Sequence, residues 1–163
     1  MTGRGVHFAL SRVQEQRLLA APDDEAVMGL IEEIEEEWAR PFLVETDKAW
    51  DALHRCLSDG TLELDAGGYP LTYAILGGRQ LYEGDDYVVR YVTAEQVRDI
   101  ATALRDVNEA WLQGRYLALD TTDYAGPHTV DDFRYTWASY KDLRHFYDLA
   151  ADEGRSVIFT VDQ

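Results

Sequence analysis

Apolar residues recur along this chain at two spacings, and the switches between them mark out its elements. Gly5-Val-His-Phe-Ala-Leu10 is a short apolar run that predicts a strand, after which Ser11 is placed to cap a helix reaching about Ala21. Pro22-Asp23 breaks the pattern. A second helix is predicted from Asp24 to about Arg40, with Val27, Leu30, Ile31, Ile34 and Trp38 on one stripe and Pro41 ending it. A third is predicted from Asp47 to about Ser58. There Thr46 or Asp47 is suited to accept from free N–H groups, and Ala49, Trp50, Leu53, Cys56 and Leu57 share one face at about 100° per residue. Asp59-Gly60, Gly67-Gly68-Tyr69-Pro70 and Gly77-Gly78 read as turns, leaving Leu71 to Leu76 open between a strand and an irregular segment.

Tyr87-Val-Val-Arg-Tyr-Val92 is β-branched and aromatic and is the clearest strand. Thr93-Ala-Glu-Gln96 has the spacing of a capping box and opens a helix with Val97, Ile100, Ala101 and Leu104 inward. Asn108 starts another through Trp111, Leu112 and Tyr116. After a loop from Asp120 to His128, a long helix from about Val130 to Asp152 turns Phe133, Trp137, Tyr140, Leu143 and Tyr147 inward. Gly154 ends it and Ser156 to Val161 is a last strand. Regular strand–helix alternation is absent. The expected fold class is therefore α+β: a single compact domain over 1–163, with five to six helices packed on a small sheet of three to four short strands. The strands at 6–10, 87–92 and 157–161 are expected to share that sheet, since none satisfies its backbone alone.

Charge narrows the partners. Fifteen Lys and Arg stand against 31 Asp and Glu, a formal net charge of -16, and the cations are scattered singly. Such a field repels nucleic-acid phosphates and anionic lipid surfaces and favours a basic protein partner. No segment approaches the ~20 apolar residues of a membrane helix, and no secretory leader pattern opens the chain, so a cytoplasmic location is expected. Cys56 is the single cysteine and lies on an apolar helix face, which excludes an intramolecular disulfide and predicts a buried thiol.

Candidate chemistry is sparse. No nucleophile elbow, phosphate loop, dinucleotide fingerprint or metalloprotease histidine pair occurs, and no cofactor or metal is implied. The five glutamates Glu32, Glu33, Glu35, Glu36 and Glu37 read as a solvated helix face. On the third helix, Asp47, Asp51, His54 and Ser58 form a polar strip at the boundary of core and water. Asp51, three residues before His54, is placed to bond to it, as a carboxylate orients a general base, so His54 and Asp51 are the candidate catalytic pair. The same geometry suits a structural histidine that ties the helix to a loop. Asp47, Asp51, His54, Ser58, Tyr69 and Tyr73 are the candidate binding residues, the tyrosines belonging to a cluster dense enough to line a pocket or an interface.

Asp47-Lys-Ala-Trp-Asp-Ala-Leu-His54, Gly68-Tyr-Pro-Leu71, Ala74-Ile-Leu-Gly-Gly78, Val89-Arg-Tyr-Val-Thr-Ala-Glu-Gln-Val97 and Tyr140-Lys-Asp-Leu-Arg-His-Phe-Tyr-Asp-Leu-Ala-Ala151 resemble, in the same order, the YfbM-like family of small bacterial domains of unknown function. The resemblance implies a compact α+β domain and brings no activity, cofactor or catalytic residue. The functional expectation is a non-catalytic protein- or ligand-binding module. The alternative is a small-molecule enzyme with a pocket bordered by the 47–58 helix.

Overall fold

The three predicted strands meet in one sheet, and two more join at its edges. The computed structural model describes residues 3–64 and 66–162. Within them β1 (Gly5–Ala9), β2 (Leu43–Asp47), β3 (Arg79–Gln80), β4 (Tyr87–Val92) and β5 (Val157–Asp162) pair in the order β2-β1-β5-β4-β3, every neighbour antiparallel. The sheet thus has five strands among the described residues rather than three or four. β3 is two residues long, too short to leave a periodic trace. β2 was hidden by its ending, because Thr46 and Asp47 look like helix caps.

Both residues serve the sheet instead. Thr46 Oγ1 donates to the carbonyl of Gly5 at 3.4 Å, and Asp47 closes β2 with φ 47°, beside a register shift between Gly5 and Val6. The third helix, α3 (Ala49–Leu57), therefore starts two residues later than expected, with Lys48 at its N-cap making no side-chain cap bond. The other caps follow the sequence. Ser11 and Thr93 form capping boxes with Gln14 and Gln96 before α1 (Arg12–Ala20) and α4 (Ala94–Arg105). Asp23, Asn108 and Thr129 cap α2 (Asp24–Glu37), α5 (Glu109–Leu117) and α6 (Val130–Asp152) through single bonds. α2 stops three residues short of Arg40, because Trp38 turns left-handed at φ 43° and lays its ring edge-on to Phe8, 6.0 Å away.

Alternation along the strands sorts side chains into two cores. Phe8, Val89, Tyr91 and Ile158 face α1 and α2, where Leu18, Val27, Ile31 and Ile34 meet them. Ala9, Val92, Val157, Phe159 and Val161 face the larger layer of α3 to α6, built on Trp50, Leu53, Ile100, Leu112, Tyr140, Leu143 and Tyr147. Leu71 to Ala74 resolves as one 3-10 turn packed on α3 and α4. Trp137 departs from its expected place. It is half-buried and stacks on the Tyr140 ring at 5.2 Å, covering the core rather than filling it. Among the described residues no helix is long and apolar enough to cross a membrane.

Candidate functional site

α3 is enclosed along nearly its whole length, so its polar residues are held inside the protein. Asp51 is 9%, His54 1%, Arg55 4% and Ser58 3% exposed. Four neighbouring elements explain this, since the helix is docked by α5, α6, the 3-10 turn and β2.

His54 bonds to two backbone groups and not to Asp51. Its Nδ1 accepts from the N–H of Leu76 at 3.4 Å, so the ring proton sits on Nε2 and donates to the carbonyl of Glu63 at 3.5 Å. The neutral ring thereby ties the 62–64 loop and Leu76 to α3. A second proton would set N–H against N–H. Burial, the largest influence, lowers its pKa to about 4, with the Glu63 carbonyl and the Asp51 charge only partly opposing. Asp51 is therefore not the partner its spacing suggested, and His54 takes the other role that spacing allowed, tying the helix to a loop.

Asp51 serves Arg55 one turn on, as an i,i+4 pair. Arg55 Nε donates to Asp51 Oδ1 at 2.7 Å, its Nη1 to Asp123 and to the Gly60 carbonyl, and the guanidinium lies 5.8 Å from the Tyr124 ring centroid. Arg115 of α5 donates from Nε to Cys56 O at 3.2 Å and from Nη2 to Ser58 O. Two guanidinium groups thus occupy the negative end of α3, and that of Arg115 satisfies carbonyls that the helix leaves free. Replacing Arg55 with Ala is expected to cost about 2 kcal/mol, since it strands a buried carboxylate. Asp123→Asn is expected to cost under about 1 kcal/mol because that carboxylate is solvated. Urea unfolding at neutral pH measures both.

The remaining candidates are separated. Asp47 lies at the far end of β2, accepting from the Tyr135 hydroxyl at 3.1 Å and pairing with Arg4. Ser58 donates to the Thr61 carbonyl at 3.3 Å. Tyr69 and Tyr73 pack edge-on to each other at 4.9 Å, and Tyr69 donates to Asp99 of α4 at 2.6 Å. Cys56 is fully buried with its thiol pushed up to about 12, chiefly by burial, so it carries no thiolate at neutral pH. The depression at the C-terminal end of α3 is lined by Arg55, Thr61 to Leu64 and Asp123, and by none of Asp47, Asp51, His54 or Ser58. Among the described residues no group of His, Cys, Asp and Glu is arranged to hold a metal ion.

The more enclosed cavity lies on the opposite side of the sheet. About 470 Å3 opens between α1, α2 and the segment that leads into β2. Phe8, Leu30, Ile34 and Phe42 give it apolar walls, and Arg17, Arg40 and Arg155 bring three cations to it. Glu33 and Glu37 also line it, but Glu33 pairs with Arg17 at 2.8 Å and Glu37 accepts from the Gln14 amide at 3.2 Å. The guanidinium of Arg155 lies 3.6 Å from the Phe42 ring centroid and donates from Nη1 to the Ala9 carbonyl at 3.4 Å. Sequence reading missed this place because its residues come from three separate segments and match no motif.

A family model described as a domain of unknown function (DUF1877) matches residues 1–160. No curated protein matches the chain. Among solved structures, the crystal structure of YfbM from Escherichia coli, a protein of unknown function, superposes with a TM-score of 0.70 at 17% identity, covering 97% of this chain and 99% of that one. At that identity the likeness concerns the fold.

Proposed function

The chain belongs to the DUF1877, YfbM-like family, and from that premise we propose that it acts as a single-domain, non-catalytic ligand-binding module of the bacterial cytoplasm. The observation that carries this reading is the cavity between α1 and α2. It has the size of a small-molecule site, apolar walls and a few convergent polar groups. Its lining holds no histidine, cysteine, lysine or tyrosine, and its single hydroxyl, that of Ser11, is engaged as the cap of α1. The two carboxylates of the lining are already engaged, Glu33 by Arg17 and Glu37 by Gln14, which suits binding better than proton transfer. The enzyme alternative has less support, because His54 has both ring nitrogens engaged by backbone and is not part of the lining of the depression at the end of α3. A basic protein partner rests on the net charge of -16 alone.

Backbone-resonance mapping by NMR against a library of small metabolites tests the proposal. Binding is expected to move the resonances of Phe8, Gln14, Leu30 and Phe42, and Ala39→Trp, which fills the cavity, is expected to abolish it without changing the unfolding midpoint by more than a few degrees. Shifts gathered instead around His54 and Glu63, or a turnover lost in His54→Gln, overturn the reading.

A further inference from the structure

We infer that the cavity between α1 and α2 takes a small molecule bearing one carboxylate on an apolar, aromatic-sized body; this rests on the ligand-binding reading above. The anion site is Arg155. Its guanidinium is held flat against Phe42, which fixes the plane of the group before any ligand arrives, and one of its five N–H donors is used by the Ala9 carbonyl. Neither Arg155 nor Arg40 has a carboxylate within 4.0 Å among the described residues, although the chain holds two acidic residues for every basic one. Arg17, the third cation of the lining, is already paired with Glu33. A half-buried, pre-oriented fork with free donors beside a second unpaired guanidinium is the arrangement that binds a carboxylate through two parallel hydrogen bonds.

Two features set the rest of the ligand. Phe8, Leu30 and Ile34 line the wall with apolar atoms, so the anion is expected to carry a hydrophobic body. Glu33 and Glu37 stand on the same lining, and the whole protein carries -16, so each charge beyond the first is repelled. Monocarboxylates are therefore favoured over phosphate monoesters and nucleotides.

The test uses probes of one shape and four charges: phenylacetate, phenylacetamide, phenyl phosphate and 2-phenylethylammonium, titrated into the full chain with the cavity resonances as readout. Phenylacetate is expected to bind at least about tenfold more tightly than the amide, the worth of one charge-assisted contact. Arg155→Gln is expected to remove that preference, Arg155→Lys to restore part of it, and Arg40→Gln, at an exposed position, to weaken phenylacetate by about threefold. Arg105→Gln on α4 should change nothing. Binding of the amide, the ammonium or the phosphate at the cavity as tightly as phenylacetate overturns the ligand class while leaving the ligand-binding reading intact. Retention of the preference in Arg155→Gln overturns the assignment of the anion site. Failure of every probe to move the cavity resonances, at any charge, overturns the binding reading itself.

Discussion

Lowering the pH from about 7 to about 4 is expected to remove on the order of 6 kcal/mol of stability, because two buried histidines must stay neutral for the protein to remain folded. His54 is one. The other is His7 of β1, which is fully buried among Phe146, Tyr147 and Phe159. Its Nε2–H donates to the Ala74 carbonyl at 2.8 Å, an oxygen that also accepts the Tyr147 hydroxyl at 2.6 Å, while Nδ1 is buried without a hydrogen-bond partner. A proton on Nδ1 would create a charge in an aromatic pocket with nothing to accept it. Burial, opposed by the Ala74 bond, lowers this pKa to about 4 as well.

For both groups the folded pKa lies below the unfolded value of about 6.5, so the unfolded chain takes up protons first as pH falls. Their contribution is fully present above about pH 6.5 and is lost as pH falls through about 4. A carboxylate partner for His54 would have produced the opposite slope. Relief of repulsion among the 31 acidic residues acts in the opposite direction, but carboxylates ordinarily take up protons below about pH 5. The histidines are therefore isolated between about pH 6.5 and 5, where urea unfolding is expected to show a fall on the order of 3 kcal/mol, roughly halved in His7→Gln or His54→Gln. Each ring should show no NMR titration above about pH 5. A stability that stays flat or rises over that interval, or a ring titrating near 6.5, would refute the account. A loss of this size is comparable with the whole stability of an ordinary domain, about 5–15 kcal/mol, so acid unfolding above about pH 4 is expected.

Trp50→Ala is expected to cost about 3–5 kcal/mol, the range for removing a large aromatic from a core that cannot close over the gap. The side chain is fully buried, its indole N–H donates to the Gly3 carbonyl at 2.9 Å, and its ring lies 5.8 Å from Phe159. It is wedged against β1 at Gly5, where a Cβ would come within 2.7 Å of the indole. The slot exists because that residue has no side chain. Collapse is prevented by the sheet itself, since β1 is held on both sides by β2 and β5. Trp50→Phe fills most of the slot and should cost about half as much, the difference being the lost hydrogen bond and the smaller ring. Equilibrium unfolding measures both, and a cost below about 1 kcal/mol for the alanine variant would mean that Trp50 does not support the β1–α3 contact.

What the sequence disclosed followed from periodicity and capping. Long or strongly patterned elements, α4 with its Thr93–Gln96 box and α6 with its inward stripe, were legible to within a residue or two. Elements whose stability comes from neighbours were not. Leu43 to Asp47 becomes a strand because β1 offers a paired edge, and its polar end imitates a cap, which displaced the expected start of α3. Of the strip read as Asp47, Asp51, His54 and Ser58, Asp51 and His54 lie on α3, Ser58 caps its end and Asp47 belongs to β2, and the chain offers no sign that backbone groups of Glu63 and Leu76 would claim both histidine nitrogens. The chain has four histidines, and nothing local marks His7 as the one set among three aromatic rings. The cavity carrying Arg155 is assembled across more than 140 residues of chain, a distance over which spacing holds no information.

The central position of β5 has a consequence for how the chain acquires its shape during synthesis. Residues 157–162 lie between β1 and β4, so the first and the last of the described strands are neighbours at the middle of the sheet. Until that final strand has left the ribosome, β1 with β2 and β4 with β3 are two separate ribbons of two strands each, and neither is expected to hold its register alone. Closure then requires contacts across about 150 residues, which places the protein among slow-folding topologies despite its helical content. During that interval the apolar faces of both ribbons are exposed to other nascent chains, and holdase chaperones acting on the ribosome-bound form would be expected to set the yield of folded protein.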